Sequence, residues 1–210
     1  MKKGTAWILV GLLLIAAALY ITLYNLWDSA RAGKAADAVL EELLPQIEEA
    51  VPMPDEEEIW QKPDEVEYPD YVLNPDMDMP IKVVDGNDYI GVLNLESLGK
   101  KFPVLSSWSY PNLKISPCRY TGSVYKNNLV IAAHNYRKHF GDLSSVKLGD
   151  PVIFTDMAGN VFHYQVAEVD TLRGTAVKEM TSGDWDLTLF TCTISGQSRV
   201  TIRCTLAEES

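Results

Sequence analysis

The sequence predicts a small all-β domain carried behind a single membrane-spanning helix. Three observations predict it. An apolar run fills residues 6–27. From Ile81 onward, short β-type runs alternate with turn signals. Between them, residues 51–80 hold six of the chain's eleven prolines and no glycine, which separates the two parts.

The N-terminal run comes first. Between Ala6 and Leu26 the only clearly polar residues are Thr22 and Asn25. About 20 apolar residues suffice to cross the hydrocarbon of a bilayer. Trp7, Tyr20, Tyr24 and Trp27 stand near its two ends, where interfacial aromatics belong. Lys2 and Lys3 precede the run, which favours an N-terminus in the cytoplasm. A cleaved signal peptide would be shorter and would close on a small-x-small site before Asp28. The run therefore reads as an uncleaved anchor over 6–27, with a cytoplasmic tail at 1–5 and everything from Asp28 on the outer side.

Residues 28–50 read as a juxtamembrane amphipathic helix. Ala35, Ala36, Val39, Leu40, Leu43 and Leu44 recur at helical spacing, and Pro45 is expected to weaken or kink it. No particular partner is expected for this helix. Residues 51–80 read as a spacer. They are acidic, with Asp55-Glu56-Glu57-Glu58 at their centre, and self-repulsion keeps such a chain extended. At about 3.1 Å per residue, thirty residues would hold a domain on the order of 90 Å from the membrane. The competing reading is a lid, in which Trp60, Tyr68 and Tyr71 dock in a groove and the carboxylates face Arg199.

Charge excludes one class of partner. The net charge is −11, but residues 48–80 hold twelve acids and one base, while residues 81–210 hold thirteen of each. The β domain is neutral and carries no basic stripe, so nucleic acid is not expected as a partner.

The domain over 81–210 is assembled from runs 89–95, 102–105, 129–133, 151–154, 161–166, 187–191 and 200–206. Asp156-Met157-Ala158-Gly159-Asn160 is a hairpin turn. Residues 136–146 look briefly helical. The connection from Asp170 to Asp186 is long, and long loops in compact domains are often functional. Many short strands with turn signals suggest a barrel or a sandwich.

The chemistry centres on Cys192, which ends the run Thr188-Leu189-Phe190-Thr191-Cys192. A nucleophilic thiol needs a partner for its proton and a donor for the oxyanion it creates. Three histidines could serve. His134 ends the buried run 129–133, as Cys192 ends its own strand, so one rim could bring them together. His163 is mid-hairpin and His139 lies in the brief helical stretch. Arg199 and Arg203 share strand parity, and Arg199 stands nearer the rim. Arginine supplies a permanent charge and a donor fork. Without a further signal, each of these residues has an ordinary structural alternative as a buried thiol or a core histidine. Cys118 and Cys204 could pair in an oxidising compartment or stay as two buried thiols. No C-x-x-C motif is present.

The Thr188-Leu189-Phe190-Thr191-Cys192 motif, an arginine on the following strand and a histidine after an apolar strand resemble the sortase family, cysteine transpeptidases of mainly Gram-positive cell walls. The resemblance covers about residues 88–206, plus the anchor and spacer. It implies a closed eight-stranded β-barrel with one or two short helices. It implies a catalytic set of Cys192, His134 and Arg199, with Thr191 contacting substrate. It implies cleavage of an LPxTG-like C-terminal sorting signal and transfer to an amine of the peptidoglycan cross-bridge or a pilin lysine. The partners would be surface proteins or pilins at the outer face of the cell membrane. No cofactor is expected; some relatives bind calcium, for which the sequence offers no assignable ligands. Ala133 stands where the family commonly has glycine. Asn74-Pro75-Asp76 is the nearest stretch to the family's Asp-Pro-aromatic lid motif, and no apolar segment follows Ser210; both lean towards an anchoring enzyme. The alternatives are a cysteine peptidase with water as acceptor and an inactive, tethered peptide-binding barrel.

Overall fold

The computed structural model describes residues 3–50 and 68–207. Helix α1 (Lys3–Ala50) is one continuous element. Strands β1 (Lys82–Val84), β2 (Asn87–Leu95), β3 (Lys100–Leu105), β4 (Cys118–Thr121), β5 (Leu129–Ala133), β6 (Pro151–Asp156), β7 (Val161–Arg173), β8 (Leu187–Cys192) and β9 (Ser198–Leu206) follow. Their hydrogen-bonded order is β1-β2-β3-β4-β5-β8-β9-β7-β6, and β6 pairs back onto β2. Strands β2 to β9 thus close an eight-stranded barrel, with β1 as a short hairpin partner of β2. The pairs β3–β4 and β5–β8 are parallel and the others antiparallel. Single helical turns lie at Asp70–Leu73, Tyr110–Leu113 and Val177–Thr181.

Alternation along the strands sorts side chains between two environments. Leu129, Ile131 and Ala133 of β5, Leu187 and Leu189 of β8, and Ile202 and Cys204 of β9 point into the barrel. Val130, Ala132 and Phe190 point outward, where Met180 of the helical turn Val177–Thr181 covers them. Residues 136–146 form turns and one 3-10 turn, Leu143–Ser145, in place of the expected helix. A side chain at Gly141 would strike the carbonyl oxygens of Asn135 and Tyr136 at under 3 Å, so the turn closes only on glycine.

The structure revises the upstream half of the chain. Residues 7–27 present an exposed apolar surface, and α1 is the one described helix long and apolar enough to cross a membrane. Thr22 donates to the Ala18 carbonyl, which satisfies its hydroxyl within the helix. The second half of α1 has a partner, contrary to the expectation from sequence. Val39, Leu40, Leu43 and Ile47 are buried against Val84, Tyr89, Val92, Leu105, Cys118 and Met157 on the outside of the barrel. Burying each such side chain contributes about 1.5–3 kcal/mol. That clamp carries the helix past Pro45, which forfeits one backbone hydrogen bond without ending it.

The lid reading fails for the part of residues 51–80 that is described. Tyr71 stacks on Tyr125 at 4.8 Å and leans on Phe162 at 5.3 Å. Asp76 pairs with Lys126 at 2.7 Å. Met79 enters the core. Lys126 precedes β5 and Phe162 begins β7, so this segment seals the end of the barrel opposite Cys192. Asp55–Glu58 and Trp60 lie outside the described residues. With α1 docked, a 90 Å reach has no role in placing the barrel.

Candidate active site

Register places the site. Because β5 and β8 are parallel, both reach the same rim, and Ala133 is the partner of Thr191. The next residues, His134 and Cys192, therefore stand side by side. Strand β9 runs back from that rim, and its Arg199 is the partner of Cys192. Adjacent strands are about 4.8 Å apart, so the three residues occupy neighbouring places at one edge. Parity sends all three side chains to the outward face, away from Ala133 and Ile202.

Cys192 is the only one of the three cysteines that reaches solvent. Cys118 lies under α1 and Cys204 inside the barrel; both thiols are free, which removes the disulfide. Burial pushes each of them up to about 12, so neither ionises near neutral pH. Beside Cys192 opens a cleft of about 630 Å³, walled by Asn135, Arg137, Gly141, Thr193 and Ile194. Ile194 is 99% exposed at the tip of the β8–β9 turn.

His134 is half-buried and lies beneath Tyr136, with ring centres 4.8 Å apart and planes inclined by 32°. Burial lowers its basicity below the usual imidazole range, Lys114 lowers it further, and Asp28 opposes both. Burial and Lys114 thus favour the neutral imidazole over the imidazolium. The other two histidines are placed elsewhere. His163 is exposed near the start of β7, opposite Ile153. His139 is wholly buried, and neither ring nitrogen makes a hydrogen bond of normal geometry.

The two arginines divide in the same way. Arg203 donates to Glu168 Oε1 at 2.6 Å and to the Glu179 carbonyl at 2.7 Å, and lies over Trp185. It fastens the β7–β8 connection to the barrel. Arg199 donates through Nη1 to the carbonyls of Gly196 and Ser198, at 3.0 and 3.1 Å. Those bonds hold the guanidinium at the rim. Among the described residues, no hydrogen bond joins Cys192, His134 and Arg199 to one another. Arg199 Nε and Nη2 remain available as donors.

Thr191 is buried, and its hydroxyl donates to the Ala133 carbonyl at 2.8 Å. That bond locks the ends of β5 and β8 together. Thr191 also lines the cleft beside Cys192. Strand β7 runs on to Arg173, so the β7–β8 connection is shorter than the sequence suggests, and Met180 from it covers the outward face beside Cys192.

Sequence reasoning overlooked Tyr136 and Asp28. The Tyr136 hydroxyl donates to Asp28 Oδ2 at 2.6 Å. The only local signal was an aromatic residue two places after the histidine.

The family model described as the sortase domain matches residues 93–207, more than half of the chain. No curated protein sequence matches it. Among solved structures, the Clostridium perfringens sortase D5 transpeptidase superposes with a TM-score of 0.58 at 17% identity, covering 83% of this chain and 99% of that one. Sortase A of Listeria monocytogenes gives 0.51 at 22% identity, covering 57% and 88%. Sortase C1 of pilus island 1 of GBS gives 0.50 at 19% identity and 57% coverage of this chain, which spans 64% of its length. At these identities the superpositions establish the fold.

Proposed function

Because the chain belongs to the sortase family, we propose that it is a membrane-tethered cysteine transpeptidase whose nucleophile, proton carrier and oxyanion donor are Cys192, His134 and Arg199. The observation that carries this reading is the register of β5, β8 and β9, which sets these three residues abreast with the one accessible thiol between the other two.

The substrate is a polypeptide with an LPxTG-like sorting signal, its scissile bond brought to Cys192 at the mouth of the cleft. Sγ of Cys192 attacks the carbonyl carbon of the scissile Thr–Gly or similar bond while His134 takes the thiol proton. Arg199 stabilises the oxygen as it becomes negative. The C–N bond then breaks, and His134 returns its proton to the leaving amine. The thioester on Cys192 is attacked by an incoming amine, of a cell-wall cross-bridge or a pilin lysine. His134 accepts that amine's proton and restores it to the Cys192 thiolate as the amide forms.

The exposed apolar surface of residues 7–27 supports an anchor, with the barrel on the outer side of the cell membrane. The test is to incubate the full chain in detergent with a library of LPxTG-type peptides and an amine, and to read products by mass. The expected product is a peptide–amine amide, with a thioacyl adduct on Cys192 trapped at short times. Hydrolysed peptide alone, with amine present, would make the protein a cysteine peptidase. Peptide binding without turnover, unchanged in Cys192→Ala, would make it an inactive binding barrel.

A further inference from the structure

We propose that Asp28 and Tyr136 form a positioning pair for His134, so that the N-terminal helix supplies part of the active site. The inference rests on the reading of His134 as the proton carrier. The two residues lie 108 positions apart in sequence and are joined by a hydrogen bond of 2.6 Å. Asp28 is itself held, since its other carboxylate oxygen receives Arg31 Nη2 at 2.9 Å on the same helix. The helix approaches closely here. Lys138 lays its side chain across Gly33, where a Cβ would meet it at under 3 Å, and Ala32 of the helix is fully buried.

The loop that leaves β5 has no regular structure until Leu143. Backbone bonds from His139 and Gly141 to the Tyr136 carbonyl fix the near end of this residue, which leaves the far end of its ring to be held. The bond to α1 holds it, and the ring then covers one face of the His134 imidazole. A covered imidazole keeps a set orientation towards Cys192 on the adjacent strand.

The pair also carries charge. The Asp28 carboxylate favours the imidazolium, against the burial of His134 and the charge of Lys114. The groups around His134 are Asp28 with its partner Arg31 on α1, Lys114 beyond the Tyr110–Leu113 turn, Tyr136 and His139 on its own loop, and Cys192 and Arg199 on the adjoining strands. Burial and the Asp28 bond push the Tyr136 hydroxyl up to about 12, so it stays a donor across the working range.

The experiment uses the full chain in detergent micelles with isotope-labelled histidine. The chain has three histidines, so His134→Gln and His163→Gln assign the imidazole signals. The titration of His134 is then followed in the parent, Asp28→Asn and Tyr136→Phe. In Asp28→Asn its midpoint is expected to fall by about 0.5 pH unit, the effect of losing one partly screened charge. In Tyr136→Phe the ring stays but its tie is cut. Its expected signature is exchange broadening of the His134 signals and a roughly tenfold loss in kcat at unchanged KM. Asp28→Glu is expected to restore the parental titration in part. If both variants titrate and broaden like the parent, the pair has no hold on His134 and the proposal falls, whatever their activity. A shifted titration with no Cys192-dependent ligation across the peptide library overturns the transpeptidase reading and leaves the pair standing.

Discussion

At the end of the barrel where β6 turns into β7, Asp156 is fully buried and accepts four hydrogen bonds. They come from Tyr125 Oη at 2.7 Å, Asn160 Nδ2 at 2.8 Å, and the backbone of Ala158 and Asn160 at 2.8 and 2.9 Å. At the opposite end His139 is just as buried and accepts none. Nearby, the Cys192 thiol has no partner and Arg199 keeps two donor nitrogens free. A buried polar group without a partner costs about 1–3 kcal/mol; the Asp156 cluster has removed that cost, whereas His139, like the Tyr164 hydroxyl in the core, has kept it. The difference separates architecture from chemistry. Satisfied groups such as Asp156 fasten the barrel, and the solvent-facing thiol and guanidinium at the rim are the groups placed to act on a ligand.

The sharpest way to break this contrast is at Cys192. Cys192→Ala should abolish thioacyl formation and cut transfer by at least about 10³-fold. Its thermal midpoint should stay within about 2 °C, because a partner-less, part-exposed thiol stabilises nothing. Asp156→Ala should do the reverse. Removing the acceptor strands four donors and should cost about 3–5 kcal/mol of stability, read by denaturant unfolding in detergent. The protein that remains folded should turn over normally.

Third comes His139, whose basicity burial depresses from 6.5 to about 4, with the His134 charge next in effect. The unfolded imidazole takes up a proton near pH 6.5 and the folded one only near pH 4. Its contribution is therefore fully present above pH 6.5 and is lost as the pH falls from 6.5 to 4, by up to about 3 kcal/mol. His139→Leu should flatten this loss when midpoints at pH 7 and pH 5 are compared. The smallest effect is expected from Arg199→Lys. Charge is kept, but one ammonium cannot both hold the Gly196 and Ser198 carbonyls and face an oxyanion. About a tenfold fall in transfer rate is expected.

Much of the barrel was legible from sequence because apolar alternation is local. Leu129–Ala133 and the β6–β7 hairpin were read where they lie. Strand β4 was missed: Cys118-Arg119-Tyr120-Thr121 is mostly polar and meets β3 at a single registered pair. The end of β7 was missed because Asp170 and Thr171 look like a loop, yet they pair with Thr201 and Val200 on β9. His134 and Cys192 could be set at one rim from sequence because each ends an apolar run, and the register of β5 and β8 brings them side by side. The docking of α1 was not legible, although its apolar spacing was visible. What a stripe of leucines covers is decided by Tyr89, Val92 and Leu105, which lie far along the chain. The same distance hid Asp28 from Tyr136.

The unbroken course of α1 has a mechanical consequence. Asp28, the first residue beyond the apolar run, touches the open rim, and Ile47 lies near Gly159 and Val161 at the closed end. The helix therefore descends the barrel wall from open rim to closed end. With residues 6–27 in a bilayer, the rim bearing Cys192 points at the lipid, within about one helix diameter, roughly 10–12 Å, of the headgroups. On the proposed transpeptidase reading, such a rim would act at a fixed height, reaching only polypeptides whose cleavage point is held against the membrane. Lengthening the acidic segment would leave that working height unchanged, whereas inserting one helical turn after Trp27 would raise it by roughly 5 Å with the contacts between the barrel and residues 28–47 left intact.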